Sequence, residues 1–180
     1  MKEGISRHRF VVAASAAPAA LALGHWPAVA QPPSASGKRN RPPPLDAELV
    51  YEFVKVAHTE LERTRELLGS EPTLARAAWD WGGGDFETGL GGAAHMGNKP
   101  IVRFLLAHGA RLDLFAAAVL GRLDIVRAAV TSYPDAIDVP GPHGIPLLAH
   151  ARVGGEEAKD VVSFLEAFAA ERRAPSGADR

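Results

Sequence analysis

The chain has 180 residues, a length that suits one domain. Hydrophobic residues make up 47% and charged residues 23%, and the net charge of −1 excludes the broad basic field by which a protein collects nucleic acid or anionic lipid. Cysteine is absent, which excludes disulfides, thiolate nucleophiles and cysteine-based zinc sites together.

In chain order, the first expected element is an export signal. Lys2, Arg7 and Arg9 precede an alanine-rich apolar run from Phe10 to Leu23, and Ala28-Val29-Ala30 before Gln31 presents the small side chains that a signal peptidase accepts. Residues 1–30 are therefore expected to be a signal peptide, cleaved after Ala30. A spanning helix needs roughly 20 apolar residues; this run is shorter and Pro18 interrupts it, which favours removal over an uncut anchor. The stretch Ser6-Arg7-His8-Arg9-Phe10-Val11 resembles a twin-arginine export motif, with His8 where the second arginine belongs. The expected location is periplasmic or secreted, with no stable membrane insertion after cleavage. Residues 31–44, QPPSASGKRNRPPP, read as a stiff Pro-rich linker in which Lys38, Arg39 and Arg41 are solvated charges. The folded domain is expected over 45–170, and residues 171–180 as a flexible tail.

Within the domain, two stretches repeat one pattern. Ala93, Ala94, Gly97, Ile101 and Val102 match Ala117, Ala118, Gly121, Ile125 and Val126: an alanine pair, a glycine, then a branched pair. The pattern predicts helical hairpins. The alanines let the first helix lie close to its neighbours, the glycine makes the turn, and Ile101, Val102, Leu105 and Leu106 form one stripe on the second helix. Thr88 and Asn98 are expected N-caps, and Pro100 falls within the first turn, where its missing N–H costs little.

Thr88, Leu90, Ala93, Ala94, Gly97, Val102, Leu105, Leu106, Gly109 and Ala110 stand where the ankyrin repeat has its signature residues, and the segment resembles that family. Gly89 replaces the usual proline and Gly91 the usual histidine. Downstream, Gly144, Pro146, Leu147, Ala151, Gly154, Val161, Val162 and Leu165 resemble a further copy, with Ile145 at the threonine position and an extended turn over Glu156 to Ala158. Upstream, Ala57, Leu61, Thr64, Leu67 and Leu68 make a degenerate first copy without a turn glycine. The third copy follows the second too closely to keep a β-turn finger, so Asp113 is expected to cap its first helix directly. The expectation is an all-α, ankyrin-type solenoid of about four helix-turn-helix units, with short or missing β-turn fingers and polar outer faces on its end units. The resemblance implies a protein-binding module that grips another protein on its concave face, and a monomer is expected.

No chemistry is legible in the spacing. The histidines show neither H-x-x-x-H nor H-E-x-x-H and read as surface or capping groups, His108 at a helix C-terminus among them. No serine sits in a G-x-S-x-G elbow, and Gly82-Gly83-Gly84 lacks the lysine and hydroxyl of a phosphate loop. Asp80 and Asp85 read as turn formers, and Pro140 to Gly144 as a plain rigid turn. No catalytic residue, metal or cofactor is expected. The candidate partner contacts are Trp79, Asp80, Trp81, Asp85 and Phe86 on an enlarged finger, His95 and Met96 at the end of the following helix, and His143 in the last finger. Two rival readings remain: a small exported hydrolase or ligand-binding protein with a pocket at the Trp79–Phe86 loop, and an envelope scaffold tethered by an uncut N-terminus.

Overall fold

The computed structural model describes residues 42–174. The expected signal peptide and nearly all of the expected linker lie outside the described residues, as does the tail from 175 onward. Among the described residues there are eight α-helices and one two-stranded sheet. The helices are α1 (Ala47–Val56), α2 (Leu61–Ser70), α3 (Gly89–His95), α4 (Lys99–Ala107), α5 (Leu114–Val119), α6 (Leu123–Ser132), α7 (Leu147–Val153) and α8 (Lys159–Arg173). The strands β1 (Ala78–Asp80) and β2 (Phe86–Thr88) pair antiparallel between α2 and α3, with Trp79 opposite Glu87.

The helices pair in sequence, α1 with α2, α3 with α4, α5 with α6 and α7 with α8. The leading helices form a row in which α1 touches α3, α3 touches α5 and α5 touches α7; on the other side α2 meets α4 and α6 meets α8. Local chemistry sets the boundaries. Asp46, Thr88, Asn98 and Asp113 each accept a hydrogen bond from the backbone three residues on, at 3.0, 3.0, 3.4 and 2.7 Å, and so satisfy N–H groups that the first turn leaves free. The turns after α3 and α5 are copies of each other. Asn98 N donates to Ala93 O at 2.8 Å and Arg122 N to Ala117 O at 2.9 Å, and the intervening Gly97 and Gly121 take φ of 68° and 69°. That six-to-one bond across a left-handed glycine is the Schellman ending.

The alanine pairs do what the repeat pattern requires. Ala93, Ala94, Ala116, Ala117, Ala118 and Ala151 are fully buried in the row of leading helices. Ile101, Val102 and Leu105 are fully buried on α4, while Leu106 packs against the core only in part. Leu105→Ala is expected to cost about 3 kcal/mol in urea unfolding, the middle of the range for a buried leucine that leaves a cavity; a loss under about 1 kcal/mol would contradict its burial.

Several details refine the sequence expectation. The extended turn over Glu156 to Ala158 is a 3-10 turn, Gly155–Ala158. α7 has Pro146 at its N-cap and no side-chain cap, because proline carries no side-chain acceptor and Ile145 before it has none either. α8 runs to Arg173, past the expected domain boundary at 170, and Arg172 there donates to Asp135 at 2.9 Å and to Asp138 at 3.1 Å. Among the described residues no helix is long and apolar enough to cross a membrane.

Candidate functional site

The site is built where the finger β1–β2 meets the C-terminal ends of α1 and α3. Strand alternation turns Phe86 outward, 64% exposed, and Glu87 inward, 1% exposed. A carboxylate so buried needs partners, and it has four. Trp81 Nε1 donates to Glu87 Oε2 at 2.8 Å. His58 Nε2, just beyond α1, and His143 Nε2 each lie 3.3 Å from the same oxygen. His95 Nδ1, in the last turn of α3, lies 3.0 Å from Glu87 Oε1. The rings support one another edge to face, His58 on His95 at 4.9 Å and His95 on His143 at 5.3 Å between centroids.

The stacking order explains how these residues meet. His58 and His95 each follow an alanine at the end of a leading helix, so neighbouring units place them side by side. Their closeness also needs Gly92, where a Cβ would stand 2.6 Å from the His58 ring. The third unit has no finger, since the chain enters α5 directly at Asp113. Nothing therefore separates the second unit's finger from the loop before α7. His143 reaches across, its N–H donating to Asp85 Oδ1 and its Nδ1 meeting Asp85 Oδ2, both at 2.9 Å. His143 takes φ 58°, ψ 20°, a left-handed conformation that costs a non-glycine residue about 1 kcal/mol. Asp85 holds it there.

Partners fix the ring orientations. His143 Nδ1 is turned to the Asp85 carboxylate, which leaves its Nε2 facing Glu87. His58 Nδ1 lies 2.9 Å from Val54 O, also an acceptor, so its Nε2 likewise faces Glu87. The bond to Glu87 raises the His58 pKa above its ordinary value despite burial. Burial pushes the Glu87 carboxyl upward, but His58, His95 and Trp81 together outweigh it and hold the group far below the usual carboxylate range. Within this cluster Glu87 Oε1 and His95 Nδ1, both buried and 3.0 Å apart, are close enough to attract each other but are not aligned as a hydrogen bond. His58, Glu87, His95 and His143 each offer one ligand atom, all within 4.8 Å of one another, so these four are the residues that could hold a metal ion.

Comparison of the chain with protein-family models, with curated proteins and with solved structures found no match in any of the three.

Of the candidate contacts read from sequence, Trp81, Asp85, His95 and His143 converge here. Trp79 is half-buried with its ring edge on Tyr51 at 5.3 Å, and Trp81 packs on the same tyrosine at 5.8 Å, so both tryptophans also cover the junction between the first two units. Asp80 is the expected turn former, accepting from Gly82 N at 2.9 Å and Gly84 N at 3.1 Å. Asp85 is not merely that, because its carboxylate serves His143. The 140–144 segment is correspondingly more than a rigid turn. Met96 is exposed, at 52%. His108 caps α4 as expected, its Nδ1 lying 2.8 Å from Phe104 O. His58, His95 and His143 do more than the surface-or-capping reading allows, since they meet at Glu87, although His143 stays exposed and His58 Nδ1 also lies 2.9 Å from Val54 O as a cap does; His150 is buried, with its pKa lowered by desolvation. His58 and Glu87 were absent from the sequence candidates. The signal that finds His58 is its equivalence to His95 in the repeat. A cavity of about 280 Å³ lies elsewhere, lined by Ile137, Pro146, Leu148 and Leu165 among others, and touches none of the clustered residues.

Proposed function

We propose that the chain is an exported ankyrin-like repeat protein that holds a protein partner on the face made by its finger and the C-terminal ends of its leading helices. The observation that carries the reading is that two large apolar side chains are exposed, Phe86 on the finger at 64% and Met96 at the end of α3 at 52%. Large apolar groups on a fixed backbone suit an interface anchor, because little conformational entropy remains to be lost on binding. The repeated alanine pair and turn glycine, with the capping threonine Thr88 in the second unit, support the ankyrin-like assignment. The charged n-region, alanine-rich run and A-x-A site support export, which the intact mass of the mature chain tests: a start at Gln31 agrees and an uncut Met1 does not.

Binding is tested with the tagged protein expressed in full and recovered from the periplasmic fraction after cross-linking. The double change Phe86→Ala and Met96→Ala is expected to abolish capture of whatever partner the wild type retains, with the melting temperature unchanged. Capture that survives the double change removes this face as the interface.

A further inference from the structure

We propose that His58 Nε2, His95 Nδ1, His143 Nε2 and the Glu87 carboxylate bind a single divalent first-row transition-metal ion, with zinc the best fit. Three imidazoles and one carboxylate suit zinc's four-coordinate preference, and imidazole is a ligand these metals share. The spacing agrees. With metal–ligand bonds of about 2.0–2.1 Å, neighbouring ligands of a tetrahedron stand roughly 3.3–3.4 Å apart. His58 and His143 each stand 3.3 Å from Glu87 Oε2, and His95 stands 3.0 Å from the other oxygen, Oε1. A charge-assisted hydrogen bond between imidazolium and carboxylate would close to about 2.7–2.9 Å, and none of the three does. No ligand pair exceeds 4.8 Å, so no pair has to close by more than about 1.5 Å to reach tetrahedral spacing.

Three independent features point the same way. The buried pair of Glu87 Oε1 and His95 Nδ1 lacks hydrogen-bond alignment, as expected of two ligands aimed at a shared third party. His58 and His143 each spend their other ring nitrogen on an acceptor, Val54 O and Asp85, the outer support that metal-binding histidines use to fix tautomer and orientation. The backbone at His143 is held in the left-handed region, which presents its ring to the cluster. Four protein ligands close the coordination sphere, the arrangement of a structural ion rather than of a hydrolytic centre with an open position. The ligands come from the first, second and fourth helical pairs, so the ion clips the two fingers and α1 together.

The test uses the full chain, stripped with chelator and titrated with zinc chloride. Calorimetry is expected to show one ion per chain, and the melting temperature to rise by roughly 5–10 °C at a hundredfold excess over Kd. Cobalt chloride should give the intense visible absorption of a four-coordinate ion. His95→Ala should weaken zinc at least about 100-fold. His143→Gly is the sharper variant, because glycine suits the left-handed backbone. It should leave the zinc-free protein folded, the relieved backbone offsetting part of the lost contacts to Asp85 and Glu87, while weakening zinc at least about tenfold. His108→Ala should bind zinc as the wild type does. Absence of binding at about 1 mM zinc, or affinity undiminished in both His95→Ala and His143→Gly, overturns the proposal.

Discussion

Gly121→Ala is expected to destabilise the protein by about 4 kcal/mol or more, enough to leave a large unfolded fraction at moderate temperature. Two costs combine. Gly121 takes φ 69°, and an alanine forced there costs about 1 kcal/mol on conformational grounds. The greater cost is collision. A Cβ at this position would stand 1.9 Å from the carbonyl oxygen of Glu157 and 2.8 Å from its carbon. Those atoms belong to the backbone of the 3-10 turn Gly155–Ala158, so no rotamer change relieves them and the last helical pair must move off its neighbour. Gly109→Ala provides the control. Gly109 has φ 90°, yet nothing lies within 4 Å of its hypothetical Cβ, so only the conformational cost of about 1 kcal/mol applies. Urea unfolding of the two variants separates the terms. Equal losses would mean that the Glu157 carbonyl does not sit over the α5–α6 turn.

The contrast between these glycines marks what could be read from sequence. Thr88, Asn98 and Asp113 were legible as caps because a cap acts on a backbone group three residues away. Gly97 and Gly121 were legible as turns, and Ala93, Ala94, Ala117 and Ala118 as close-packing positions, because each constraint recurs at a fixed offset. The clash at Gly121 was not legible, since the opposing atom comes from another helical pair. The polar cluster was hidden for the same reason. Metal-motif searches look for two ligands on one turn of helix, whereas His58, Glu87, His95 and His143 come from three separate units. Only the stacking of equivalent positions, together with the missing finger of the third unit, brings them together. Glu87 was harder still: on a three-residue strand, nothing distinguishes a buried carboxylate from a solvated one until the partner surface is known.

Glu87→Leu is expected to cost about 3–5 kcal/mol in chelator-treated protein, the range for removing one member of a buried ion pair. Leucine fills a similar volume, so the loss reports polar chemistry rather than a cavity. Without the carboxylate, the indole N–H of Trp81 loses its acceptor and three clustered imidazoles lose the only negative charge buried among them. Each stranded polar group costs about 1–3 kcal/mol, an amount that water entering from the exposed His143 side partly offsets. Glu87→Gln divides the effect. Its amide oxygen can still accept from Trp81 and its NH₂ can donate to a neutral imidazole, so hydrogen bonding survives while charge does not. A loss near 1 kcal/mol for Gln beside 3–5 kcal/mol for Leu would assign the stability to satisfied polar groups. Equal losses would assign it to the charge, and the finger would then be held to the stack chiefly by electrostatic attraction between Glu87 and its histidines.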